Sequence, residues 1–294
     1  MIEKLTPSRV IFNIFNYSLM ILLSFAFLAP VWHVVMASIS NPRTLLVTPG
    51  LLRLPVGDIT LDAYRIVLNN PSILIGYRNT IIYVVATVFV GITLLCIGGY
   101  VLSRESGLRT PFTLMVVFTM LFSGGLIPSV IINMQLGLMN NPLALIIPGS
   151  INAFFLIIMR SAFQQLPESL EESAKLDGAG HITIMVRILL PLVKATIAIM
   201  VMFIALGQWN SWMPAAIYLP RNRDMWPLQM FMREILVQHD VRMVSPEEAA
   251  RMTDLVTHII RHAVVVVGTF PIIVLYPFAQ KYFVKGVTLG SVKG

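Results

Sequence analysis

The chain has 294 residues, 56% of them apolar and only 12% charged, against about 45–50% and roughly 25% in a soluble domain. A chain this apolar cannot cover its own surface with polar groups in water, so a water-soluble globule is excluded. The formal charge of +7 is spread among apolar runs without a basic face, which excludes a nucleic-acid partner and points to membrane-surface chemistry. The single cysteine, Cys96, rules out an intrachain disulfide and a multi-cysteine metal site.

A bilayer core of about 30 Å takes about 20 helical residues, and six stretches qualify: 11–38, 80–103, 111–134, 142–163, 188–219 and 263–283. None carries an acidic residue in its middle, as lipid demands. The first lacks a small-residue cleavage site and reads as a retained span. Pro30, Pro128, Pro148, Pro214, Pro271 and Pro277 fall within spans; they predict either kinks repaired by neighbouring helices or breaks that line a cavity. An even number of spans puts both termini on one side. Every lysine falls on that side, so both termini are expected in the cytoplasm. The expected fold is all-α: one polytopic membrane domain over 1–294 with six transmembrane helices.

Three connecting stretches stand out. The first outer loop, 39–78, holds a short helix pattern near 61–68. The last, 220–262, carries arginines interleaved with aspartates, and part of it is expected to touch a partner outside the membrane, a contact that shortening the segment around Arg221–Trp226 would impair. Within it Ser245-Pro246-Glu247-Glu248 has the form of a capping box, predicting a helix that leads into the sixth span.

The cytoplasmic stretch 164–187 is the most informative. Pro167 suits a first helical turn, and Glu168, Glu171 and Glu172 complement a positive helix start. Glu171 and Lys175 are a favourable i,i+4 pair. Gly178 stands where a left-handed residue ends a helix. The pattern then restarts, with Ile182, Met185, Val186 and Leu189 on one helical face. The acids suit a basic cleft rim, and Leu170 with Ala174 suits an apolar floor. A mere connection between helices needs about 2–8 residues, so this longer, capped loop is expected to dock a partner.

Glu172-Ser173-Ala174, Asp177-Gly178-Ala179, Ile188 and Leu189-Leu190-Pro191-Leu192 together resemble, in type and spacing, the EAA loop of bacterial ABC importer permeases. Two positions depart from that pattern: Ser173 replaces the middle alanine, and Ala195 a later proline. Neither removes the small residue or the turn the loop needs. Further stretches resemble the carbohydrate-importing branch. These are the run from Thr119 to Pro128, Trp209-Asn210, Pro227-Leu228-Gln229, and the tail Tyr282-Phe283-Val284-Lys285-Gly286 with Gly290-Ser291-Val292-Lys293-Gly294. Within that branch the chain is similar to the smaller permease of the alginate importer. The resemblance implies a type I ABC importer permease fold in the bacterial inner membrane. It further implies a heterodimer with a second permease, two ATPase subunits beneath, and a solute-binding protein outside. Glu171, Glu172, Ala174, Asp177, Gly178, Leu190 and Pro191 would then couple to the ATPase.

No phosphate-binding loop Gly-x-x-x-x-Gly-Lys-Ser/Thr occurs. ATP and Mg are therefore expected on the partner ATPase, with no cofactor and no catalytic residue in this chain. His258 and His262 are four apart but lack a third ligand, so no metal site is expected. The methionines spread through the spans read as packing. In the fifth span Gln208, Trp209, Asn210, Ser211 and Trp212 form a polar-aromatic cluster. It fits sugar binding by stacking and amide hydrogen bonds; it equally fits an interfacial aromatic belt with an amide bonding a neighbouring helix. Asn152 and Ser123 are further pathway candidates. A secondary sugar transporter would need membrane-embedded acids and inverted repeats, and an intramembrane enzyme a convergent catalytic set; the sequence has neither.

Overall fold

A computed structural model describes residues 6–237 and 254–290. They form helices and turns, with no strand among the described residues. The chain divides into two compact units, Met1–Pro71 with Glu234–Thr269, and Ser72–Arg233 with Phe270–Gly294.

In the first unit, α1 (Pro7–Ser38) starts with Pro7 in its opening turn, where a missing N–H costs nothing. Its 32 residues run about 48 Å at 1.5 Å each. Phe12, Phe25 and Phe27 are 63–73% exposed, a surface that water would not tolerate and lipid accepts. The chain after it is stapled back to its end. Trp32 Nε1 donates to the Arg53 carbonyl at 2.9 Å, the Leu52 amide donates to His33 Nδ1 at 3.0 Å, and the Val56 amide donates to Ser40 Oγ at 3.1 Å. Two short helices follow, α2 (Pro42–Val47) and α3 (Asp62–Asn69), the second where the apolar pattern near 61–68 places one.

The second unit begins on α4 (Pro71–Ser103), longer at its start than the expected 80–103. Two bent pairs follow: α5 (Arg109–Leu121) with α6 (Leu126–Gln135), and α7 (Leu143–Ser150) with α8 (Ala153–Gln164). Among the described residues three helices are long and apolar enough to cross a bilayer, and counting these two bent pairs and a third, described next, as one span each gives up to six. The stretch expected as the span 111–134, with a kink or break at Pro128, consists of two helices meeting at 115°. Gly125 supplies φ +85° at the bend, and Ser123 Oγ accepts the Gly125 amide at 3.2 Å, a local bond that competes with the helical ladder. The expected span 142–163 bends by 42° where Asn152 caps α8, accepting the Phe155 amide at 3.2 Å.

After α9 (Glu168–Leu176) comes α10 (His181–Leu192), bent by 83° from α11 (Lys194–Trp209). The expected fifth span 188–219 is therefore corrected: its first residues belong to α10, α11 carries the straight apolar run, and α12 (Trp212–Tyr218) follows a break at Asn210. Residues Ile184–Leu189 of α10 are wound as a π-helix. That looser winding brings Ile184 and Leu189, five apart, both into the core at 0% and 1% exposure. It turns Ile182 and Val186 outward, off the face that 3.6-residue spacing assigns them. A one-turn 3-10 helix at Arg223–Met225 leads to α13 (Leu228–Val237), and the last helix, α14, is Asp254–Gly290.

The core of the second unit gathers Leu95 and Tyr100 from α4, Met159 and Phe163 from α8, and Ile184, Leu189 and Met200 from the α10–α11 segment. Gly99 is what lets α4 approach α8. A Cβ there would stand 2.6 Å from Met159 Cγ.

Candidate coupling site

The loop expected to dock a partner is built on α9. Pro167 precedes its first residue, Glu168 and Glu171 occupy the first turn and Lys175 the last, each sign suited to the helix dipole. The helix ends in a Schellman turn. The Gly178 amide donates to the Lys175 carbonyl at 3.0 Å and the Ala179 amide to the Ala174 carbonyl at 2.9 Å. Gly178 sits at φ +79°, with open space where a Cβ would stand. The backbone, not crowding, is what demands glycine: another L-residue costs roughly 1–2 kcal/mol in that conformation.

Two of the expected contact residues face the other way. Glu171 is 5% exposed and Ala174 6%; Ala174 packs in the core with Tyr100 and Phe163 and forms no outer floor. The reason is electrostatic for Glu171. Arg104 Nη1 lies 2.6 Å from Glu171 Oε2, Lys175 Nζ 3.2 Å from Oε1, and the Tyr100 hydroxyl donates to Oε1 at 3.3 Å. A buried carboxylate stripped of such partners costs several kcal/mol, so these groups hold it inside. The outward face includes Glu172, Ser173, Lys175, Asp177 and Leu176, the last 90% exposed. Leu170 is 38% exposed. Leu190 packs partly against the core, and Pro191 lies on the outside just past the π-helical segment.

Tyr100, Arg104 and His181 join the site without any sequence signal that singled them out. The Arg104 guanidinium stacks over the Tyr100 ring at 4.9 Å, and the Tyr100 hydroxyl lies 3.0 Å from His181 Nδ1. A signal exists in hindsight: Tyr100 and Arg104 are i,i+4 at the polar end of an otherwise apolar helix. The neighbouring Arg160 Nε donates to the Leu102 carbonyl at 3.1 Å. With its amide oxygen toward them, Gln164 accepts from Arg109 at 2.7 Å and Arg160 at 3.2 Å. A cavity of about 490 Å³ opens between the α4 end and α9, lined by Arg104, Arg109, Glu168, Glu172, Lys175 and His181 among others.

The pathway candidates separate into groups. Gln208 and Trp209 are buried at 7% each, Trp209 edge-on to Tyr77 at 6.2 Å. Asn210 and Trp212 are exposed. Asn210 Nδ2 donates to the Leu206 carbonyl at 2.9 Å, and Gln229 Nε2 donates to Asn210 Oδ1 at 3.3 Å. The Arg233 guanidinium lies 4.3 Å over the Trp212 ring. Asn152 and Ser123 spend their oxygens on the helix cap and the bend described above.

Beyond this cluster, α4 grips the start of the last long loop. Asn79 donates to the Asp224 and Trp226 carbonyls, the Tyr83 hydroxyl donates to the Met225 carbonyl at 2.8 Å, and the Leu228 amide donates to Thr80 Oγ1 at 2.8 Å. The expected capping box at 245–248 and the final residues 291–294 lie outside the described residues, as does the side chain of His258. His262 stands edge-on to His33 at 6.0 Å, and among the described residues no three His, Cys, Asp or Glu side chains gather at one point.

Residues 6–289 match the family described as the binding-protein-dependent transport system inner membrane component. The chain belongs to that family. The permease is 37% identical over 288 residues to the polygalacturonan/rhamnogalacturonan transport system permease protein YtcP of Bacillus subtilis (strain 168), covering 97% of this chain and 99% of the relative. It is 39% identical over 245 residues to protein LplC of the same organism, with 80% and 79% covered. Its backbone superposes with TM-score 0.86 on a chain of a bacterial ABC transporter involved in import of the acidic polysaccharide alginate, at 31% identity and 96% and 99% coverage. The permease thus has the all-α type I ABC importer fold and is a multi-pass, non-catalytic membrane subunit.

Proposed function

We propose that the permease, acting as a single domain over its whole length, forms half of the translocation pathway of an ATP-driven importer for oligo- or polysaccharide. A different permease completes the pathway. Two ATPase subunits carry ATP and Mg, and an extracytoplasmic binding protein delivers the solute. Both termini and α9 lie on the cytoplasmic side.

The observation that carries this reading is the α9 turn. It is a short helix, locked at its C-terminus by two backbone hydrogen bonds, seated on the core by Ala174, and exposing Glu172, Leu176 and Asp177 outward. A rigid lever anchored in the spans and bare on one side suits docking into an ATPase cleft. Coupling contacts fall to Glu172, Asp177 and the turn at Gly178, while Glu171 and Ala174 hold the lever from within and Leu190 and Pro191 end the helix that carries it onward.

The similarity to a polygalacturonan/rhamnogalacturonan permease and to a chain of an alginate importer supports this substrate class. Exposed Asn210 and Trp212, with Gln229 and Arg233 beside them, supply amides, an aromatic face and one cation. Those are the groups an acidic sugar needs. Buried Gln208 and Trp209 brace this surface, and Asn152 and Ser123 shape the backbone along the path. The test is to copurify the permease with its ATPase and identify the saccharide that the cognate binding protein retains. A neutral saccharide, or a permease that purifies and transports without an ATPase, would refute the corresponding half of the proposal.

A further inference from the structure

The buried side of the docking loop has its own chemistry, centred on one hydroxyl. Tyr100 Oη donates to Glu171 Oε1 at 3.3 Å and lies 3.0 Å from His181 Nδ1. A phenol has a single proton. Given to Glu171, it leaves the oxygen lone pair to accept from His181 Nδ1–H, which sets the histidine tautomer. Glu171 precedes the Gly178 turn and His181 follows it. One atom at the end of α4 therefore touches both arms of the helical hairpin formed by α9 and α10.

Arg104 adds the charge. It pairs with Glu171 at 2.6 Å while its guanidinium stacks on the Tyr100 ring at 4.9 Å. Lys175 closes the other side of the carboxylate at 3.2 Å. The Tyr100 ring is itself held edge-on to Phe163 of α8 at 6.0 Å. The Schellman turn closes α9 with its two backbone hydrogen bonds, but both lie on the α9 side of Ala179, so they leave the direction of α10 to be set by contacts beyond the turn.

We propose that Tyr100 and Arg104 are positioning residues for coupling: they latch α9 and α10 to the end of α4 so that the two arms move as one rigid body. This inference rests on the reading of α9 as the ATPase-docking helix and adds a second route of transmission. The first runs along the chain from α10 into α11. The second runs through side chains from Glu171 into α4. A push on α9 then reaches two helices together, and the turn does not absorb it by flexing.

The experiment uses the full complex with its ATPase and partner permease in nanodiscs. Cys96 is replaced by Ala, and nitroxide labels are placed through Glu168→Cys on α9 and Val186→Cys on α10, both exposed positions. The distance distribution between labels is recorded in the resting state and after trapping with ATP and vanadate. In the otherwise unaltered protein we expect one narrow distance, the same in both states. Tyr100→Phe keeps the ring and its packing but removes both hydrogen bonds, and Arg104→Gln removes the charge. Each is expected to lose the single narrow distance while ATPase still copurifies, and Arg104→Lys is expected to restore much of it. A distance that shifts on trapping in the parent, or a Tyr100→Phe distribution identical to the parent's, overturns the latch. The docking reading is judged separately, by ATPase copurification with Glu172→Lys and Leu176→Asp on the outward face. Retention of a full ATPase complement there would refute docking, whatever the distances show.

Discussion

Asn79 Nδ2 donates to the Asp224 carbonyl at 2.7 Å across 145 positions of sequence, and the same nitrogen reaches the Trp226 carbonyl at 3.0 Å. The start of the last long loop is thereby a fixed extension of α4. Asn79→Leu keeps the branched shape of the side chain and removes both donated hydrogen bonds, which join part-buried groups, at a cost of about 0.5–1.5 kcal/mol for each bond. Tyr83→Phe, losing one bond to Met225, should cost about 0.5–1.5 kcal/mol. Thermal unfolding of the purified complex gives the order. If the loop also meets the binding protein, Asn79→Leu should weaken hydrolysis stimulated by that protein more than basal hydrolysis.

The α4–α8 contact makes a prediction with a built-in rescue. At Gly99 an added Cβ falls 2.6 Å from Met159 Cγ and 2.9 Å from its Cβ, and Met159 is fully buried. Gly99→Val should destabilise the permease by about 1–3 kcal/mol through overpacking. Met159→Ala in the same chain should recover part of that loss, read as the yield of monodisperse protein on size-exclusion chromatography. Absence of rescue would mean that the backbones of α4 and α8, rather than this side chain, set the spacing.

The surface around Asn210 tests the substrate class. Asn210→Gln keeps an amide, whereas Asn210→Asp places a fixed negative charge on the surface proposed to meet an acidic sugar. Two like charges 4 Å apart repel by about 1 kcal/mol in water and about 4 kcal/mol at an effective dielectric of 20, so the aspartate should slow uptake by roughly tenfold or more. Uptake of a labelled oligouronide measures both variants. Equal effects would assign Asn210 to packing against Leu206 and Gln229.

Long apolar helices were legible because apolar length is a strong signal. Breaks were legible only as one of two readings of the in-span prolines, and their places and angles were not. Nothing in the hydropathy of 111–134 marks a 115° bend, which depends on Gly125 taking φ +85° in the run Ser123-Gly124-Gly125. The turn of the docking loop was legible to the residue, since Gly178 is read from a local rule and its φ of +79° follows that rule. The orientation of α9 was not. A helix with acids in its first turn reads as an acidic outer face, yet Glu171 turns inward because Arg104, 67 positions earlier, is waiting there. The pairing is a tertiary fact with no local trace. The same holds for α10, where π winding replaces the 3.6 period and sends Ile184 inward with Leu189.

We propose that α9 and its glycine turn form the element through which ATP-driven closure reaches the spans. Gly178→Val puts a β-branched residue at φ +79°, a conformation that charges it at least about 1–2 kcal/mol, and it unseats the two bonds closing the turn. Glu172→Lys reverses a charge on the outward face. The decisive measurement is the amount of ATPase that copurifies with each variant, taken with solute uptake by the reconstituted complex. Normal membrane insertion with ATPase lost or uptake abolished is the expected result. A Gly178→Val permease that carries its full complement of ATPase and transports at the wild-type rate would contradict the account.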